Sequence, residues 1–271
     1  MQTGTVKIGD REIEFARSTE RSTDRKPAGE IIMLHEGLGS TSMWRDFPER
    51  LATATGLRTL AYSRYGYGRS TPLAGPRTVD YMHEEAVVWL PALLERFAIE
   101  RPVLFGHSDG ASIALIYAAE RPHEVAALVA LAPHIRVEEL TLRSIERART
   151  SYLEEDLKQR LSRHHANVDS AFWGWNRIWL DPAFRSWSIE GLLGRIRCPV
   201  LAIQGEQDEY GTMEQLTGIA RAVRDTRLLA LPDSGHAPHR DQPDAVLEAT
   251  ARFLVEVLER AHGRAMKSHG A

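Results

Sequence analysis

Short apolar runs recur along this chain, and the way they alternate with other patterns sets out its elements. Val6 and Ile8 alternate with polar neighbours, Gly9-Asp10 makes a turn, and Ile13 and Phe15 alternate again, which predicts a β-hairpin. A polar loop is expected over 21–29. Ile31-Ile32-Met33-Leu34 follows as an unbroken apolar run, suited to a strand buried on both faces of a parallel sheet. Similar runs lie at 59–62, 103–105, 128–131, 200–203 and 228–231. Between them apolar residues step by three and four: Val79, Met82, Ala86, Trp89, Leu90, Leu93 and Phe97 in one stretch, Val246, Leu247, Phe253, Leu254, Val257 and Leu258 in another. Strands alternating with amphipathic helices predict an α/β fold with a mostly parallel central sheet flanked by helices.

The alternation stops over 136–193, after the sixth strand candidate, where no buried strand run appears. Residues 145–161 are charged and helical in pattern. Beyond them come Phe172-Trp173-Gly174-Trp175 and Trp179, with Trp187 shortly after, so four of the six tryptophans fall in this segment. The pattern predicts a core domain of residues 1–135 and 194–271 and a helical insertion of residues 136–193. Large aromatics mainly contribute buried area, so these rings pack the insertion onto the core. Ligand sites form where packed units meet, which makes Trp173, Trp175, Trp179 and Trp187 candidates for substrate binding as well.

Composition narrows the partners. A chain of 271 residues with a formal net charge of -3 and no basic stripe gives no reason to expect nucleic acid. The single cysteine, Cys198, sits in an apolar run and is expected to be a buried, inert thiol. The start lacks the apolar stretch of a signal peptide and no run approaches membrane-spanning length, so the cytoplasm is the expected compartment and no membrane partner is expected. The tail from His262 is expected to fray. His164-His165 and His236-x-x-His239 suggest a metal at first sight. Adjacent histidines cannot both face one site from a helix, and no matching carboxylate cluster accompanies them, so no metal is expected.

The chemistry is carried by Gly106-His107-Ser108-Asp109-Gly110, a G-x-S-x-G pattern set between an apolar run and a helical pattern. There Ser108 would sit in a strained turn with small neighbours, its hydroxyl aimed outward as a nucleophile. A serine hydroxyl needs a base to take its proton, and the base needs an orienting carboxylate. Asp208 follows the run at 200–203 through Gly205, and His236 follows the run at 228–231 after a short loop. The amide of Asp109, next after the serine, is a candidate oxyanion donor. Its side chain has two readings, a charge favoured at a helix N-terminus or a binder of a substrate ammonium or hydroxyl. His134, just past the run at 128–131, is a candidate pocket residue.

The order Ser108, Asp208, His236 and four matching pieces resemble the α/β-hydrolase family over nearly the whole chain. The pieces are His35-Glu36-Gly37-Leu38-Gly39, the serine motif, Gly205-Glu206-Gln207-Asp208 and Gly235-His236-Ala237-Pro238, joined by Ser63-Arg64-Tyr65-Gly66-Tyr67-Gly68-Arg69-Ser70. The resemblance implies Ser108 as nucleophile, His236 as general base and acid, Asp208 as its orienter, and a helical cap at the insertion. It also places the second oxyanion donor at Gly37 or Leu38, with Gly37 favoured by an ungapped match at His35. Glu36 departs from the family, which usually has glycine there. His35 and His107 are expected to brace their loops.

The leading expectation is a cofactor-free serine hydrolase cleaving an ester, thioester, lactone or amide of a small acyl compound. One alternative is a carbon-carbon bond hydrolase of aromatic ring-cleavage products, although the tryptophan often found after the histidine in that group is replaced here by Ala237-Pro238-His239. Another is a non-catalytic ligand receptor on the same fold. A homodimer is left open.

Overall fold

Alternate residues of each apolar run face opposite sides of a single eight-stranded sheet. A computed structural model describes residues 1–19 and 29–268, so the loop expected over 21–29 lies, but for Gly29, outside the described residues. The hairpin is β1 (Gln2–Ile8) and β2 (Arg11–Arg17), and the runs are β3 (Ile31–Leu34), β4 (Thr59–Tyr62), β5 (Val103–His107), β6 (Ala127–Leu131), β7 (Val200–Gly205) and β8 (Thr226–Leu231). The order is β1-β2-β4-β3-β5-β6-β7-β8, antiparallel through the first three and parallel thereafter.

Two cores explain why these runs show no polar alternation. Ile32, Leu34, Leu104, Leu128 and Ala202 pack on one face against α2 (Tyr81–Glu84), α3 (Leu90–Arg96) and α4 (Asp109–Glu120). Ile31, Met33, Phe105, Val129 and Ile203 pack on the other against α1 (Phe47–Thr55) and the C-terminal helix. Each such Ile, Leu, Val, Met or Phe side chain contributes about 1.5–3 kcal/mol when fully buried, so a polar residue on either face of a central strand would be costly.

Between β6 and β7 the chain forms α5 (Glu139–Glu154), α6 (Leu157–Ser162), α7 (Val168–Trp179) and α8 (Glu190–Leu193). The continuous helical pattern read over 145–161 is two helices: α5 starts earlier, and Glu155 turns extended. The break lets Tyr152 stack on Phe172 with ring centroids 3.7 Å apart while Leu161 is also buried. After β7 come α9 (Glu214–Ala222), α10 (Pro238–Asp241) and α11 (Pro243–Ser268). The tail expected to fray is helical from His262 through Ser268, because a helix anchored in its first turns extends at one bond per residue, and 269–271 lie outside the described residues. Cys198 precedes β7 rather than lying in it, and burial pushes its thiol up to about 12. Among the described residues no helix is long and apolar enough to cross a membrane.

Candidate active site

Three strand ends bring Ser108, Asp208 and His236 together. β5 stops at His107, and Ser108 takes φ 53° and ψ −120°, a conformation L-residues seldom adopt, before α4 begins. The turn tolerates no side chain beside it: a Cβ on Gly106 would strike the carbonyl of Gly110 and the backbone of Ala111, and one on Gly110 would strike the carbonyls of Leu34 and His35. Ser108 Oγ donates to His236 Nε2 at 2.9 Å, and His236 Nδ1 donates to Asp208 Oδ1 at 2.8 Å. Asp208 Oδ1 also accepts the backbone N–H of Tyr210 at 2.8 Å and of Gly211 at 3.2 Å.

The electrostatics match that chain of bonds. Burial pushes the Asp208 carboxyl up, but the His236 ring and the Tyr210 amide outweigh it and hold the group below its ordinary value, so it is ionised. Burial pushes the His236 imidazole down, but the Asp208 charge and hydrogen bond, with Glu209 and Glu36 beyond, raise it above its ordinary value. The His236 backbone is fixed from both sides: its N–H donates to Glu209 at 3.2 Å and its carbonyl accepts His107 Nε2 at 2.7 Å.

Across from Ser108 lies the loop after β3. The Glu36 carbonyl accepts His35 Nδ1 at 2.6 Å, Arg64 Nη2 at 2.9 Å and the Gly39 amide at 3.1 Å. In a trans peptide the N–H points opposite to the carbonyl, so the Gly37 N–H is turned away from those three donors. Among the described residues no protein group accepts from the amides of Gly37, Leu38 or Asp109. Burial pushes the Glu36 side chain up, but His107, 3.3 Å away, and Arg240, 3.5 Å away, outweigh it and keep the carboxylate charged.

A cavity of about 110 Å³ opens beside these groups. Ser108, His236, Asp109, Gly37, Leu38, Glu36 and His134 line it from the core, with Thr141, Ile145, Trp175 and Trp179 from α5 and α7, and Tyr210 beside Asp208. Burial, followed by the His236 charge, lowers His134 to about 3, so this ring is neutral. The structure separates the four tryptophans of the insertion. Trp175 and Trp179 line the cavity, whereas Trp173 opens on another cleft with Leu73, Arg77 and Arg177, and Trp187 stacks on Phe184 at 5.3 Å. Of the histidine pairs, His239 packs among Trp44, Phe47 and His107, and His164 and His165 bond to separate loops. Thr141, Ile145 and Tyr210 were not singled out from sequence. The i, i+4 spacing of Thr141 and Ile145 and the nearness of Tyr210 to Asp208 were the available signals.

The fold and the site define an α/β hydrolase, and the chain belongs to the alpha/beta hydrolase family, which it matches over residues 31–249. It is 22% identical over 256 residues to a bifunctional esterase/perhydrolase of Acinetobacter calcoaceticus, covering 83% of this chain and 91% of that protein. It is 26% identical over 254 residues to an sn-1-specific diacylglycerol lipase of Danio rerio, covering 83% of this chain and 78% of that one. Among solved structures, VinJ superposes with a TM-score of 0.75 at 25% identity, covering 94% of this chain and 99% of that one.

Proposed function

We propose that this protein is a serine hydrolase that cleaves an ester, thioester, lactone or amide bond of a small acyl compound through an acyl-enzyme on Ser108. The observation that carries the reading is the continuous bonding of Ser108 Oγ, His236 and Asp208 beside unpaired backbone amides. His236 Nε2 takes the Ser108 proton as Oγ attacks the carbonyl carbon, and Asp208 holds the ring and stabilises the imidazolium. The amides of Asp109 and Gly37, with Leu38 adjoining, receive the oxyanion. His236 then returns the proton to the leaving group, and water attacks the acyl carbon by the same route to regenerate the serine.

Residues 136–193 act as a cap over the site. Trp175, Trp179 and His134, with Thr141, Ile145 and Tyr210, bind the substrate. The cavity suits a short apolar acyl group, and the esterase named among the relatives is consistent with ester cleavage. A turnover screen over p-nitrophenyl esters, lactones and acyl amides tests the proposal. Saturable hydrolysis of at least one class is expected, and ligand binding with no turnover of any class would overturn it.

A further inference from the structure

We propose that His165, on the loop between α6 and α7, is a positioning residue that fixes the oxyanion loop of residues 35–39 from the side of the inserted helices. The inference rests on the reading of that loop as the oxyanion loop.

The geometry is specific. The Gly68 N–H donates to His165 Nδ1 at 2.9 Å, so Nδ1 carries the lone pair and Nε2 carries the proton, which goes to the Leu38 carbonyl at 2.9 Å. His165 is 6% exposed, and burial lowers its pKa, which keeps the ring in this neutral form. The same loop is held beside it by Ala166, whose N–H donates to the Gly68 carbonyl at 2.8 Å, and by His164, whose Nδ1 lies 2.8 Å from Ser42 Oγ.

His35 makes the matching arrangement from the core. Its Nε2 accepts the Arg64 N–H at 2.9 Å and its Nδ1 donates to the Glu36 carbonyl at 2.6 Å. Two neutral imidazoles therefore each join a backbone N–H of the loop after β4 to a carbonyl of the oxyanion loop. His35 fixes the Glu36 carbonyl, before the Gly37 amide, and His165 fixes the Leu38 carbonyl, beyond the Gly37 and Leu38 amides. Oxyanion donors act only within narrow distances, and a displacement of about 1 Å can cost about 100-fold in rate. His165 does not line the cavity, so its effect passes through the loop rather than through substrate contact.

The test uses a substrate too short to report on a longer acyl subsite. His165→Leu is expected to lower kcat for p-nitrophenyl acetate about 10- to 100-fold with little change in KM. The affinity for a short trifluoromethyl ketone, whose Ser108 hemiketal carries the oxyanion, should weaken in parallel. His165→Gln, whose amide nitrogen can take the place of Nε2, should recover much of the loss, and His165→Asn, which is too short to reach Leu38, should not. If the leucine variant fails to fold, the Gln and Asn pair decides. Wild-type kcat and ketone affinity in the folded Leu or Asn variant, or equal losses in Gln and Asn, would overturn the proposal. So would a loss confined to long acyl esters, which would make His165 only a fastening for the inserted helices. Wild-type protein that neither turns over the acetate nor binds the ketone at Ser108 would overturn the hydrolase reading, and this inference with it.

Discussion

The indole N–H of Trp179 donates to Asp109 Oδ1 at 3.2 Å, tying α7 to the residue that follows Ser108. Asp109 Oδ2 accepts the Tyr81 hydroxyl at 2.8 Å and lies 3.6 Å from Arg64 Nη2, and the carboxylate is buried. Both oxygens are engaged by the protein, which favours a structural use over capture of a substrate ammonium. Esters of α-amino acids should therefore show kcat/KM values within about 3-fold of their desamino analogues, where a desolvated ion pair would give a far larger preference. Asp109→Ala should lower stability by about 3–5 kcal/mol in urea unfolding, because it removes the carboxylate that lies 3.6 Å from the buried Arg64 guanidinium.

Activity should fall in acid through the ionisation of His236. The ring must be neutral to accept the Ser108 proton, and its pKa lies above its ordinary 6.5, so the acid limb of kcat/KM should fall above that pH. Asp208→Asn removes the main raising influence, so the limb should move to lower pH while kcat drops about 10³- to 10⁴-fold. An unmoved limb in this variant would show that another group controls the titration.

On the proposed reading the cavity limits the acyl chain. A dry cavity of about 150 Å³ accepts benzene, so one of about 110 Å³ admits fewer than about six carbons. Each methylene buried before that limit is worth about 0.8 kcal/mol, or about fourfold in kcat/KM. Straight-chain p-nitrophenyl esters should rise and then level off. Trp175→Leu and Trp179→Leu should alter that profile, and Trp173→Leu and Trp187→Leu should leave it as in wild type.

Several buried histidines should make the fold labile in mild acid. Burial lowers His134 to about 3 and holds His35 and His239 well below 6.5. In the unfolded chain these rings take up protons below about 6.5, while in the native state they do not. The unfolded state then binds more protons, so stability falls as pH drops from 6.5 toward 3, by up to about 2 kcal/mol per ring at pH 5. His236, whose pKa is raised, contributes in the opposite sense and offsets part of the loss. Among the described residues neither ring nitrogen of His239 has a hydrogen-bond partner, so His239→Phe should recover stability at pH 5 more than at pH 7.5 in urea unfolding.

Much of this was legible in the sequence because burial on both faces leaves unbroken apolar runs, and Ser108, Asp208 and His236 each follow one. The inserted helices were less legible. Trp175 and Trp179, four residues apart, share a helix face, and Trp173 falls nearly opposite, a difference that residue type hides and spacing could have shown. The break at Glu155 and the bonds of His165 to Gly68 and Leu38 depend on how those helices dock on the core, which no local pattern encodes.

The acyl-enzyme on Ser108 is the central claim, and rapid quenching of the protein with a turned-over p-nitrophenyl ester, followed by peptide mass spectrometry, tests it directly. Wild-type protein should carry the acyl mass on the Ser108 peptide, and Ser108→Ala should carry none and lose about 10³-fold or more of its turnover while melting as wild type does. An acyl group on another residue, or a folded Ser108→Ala variant that retains wild-type turnover, would contradict the account.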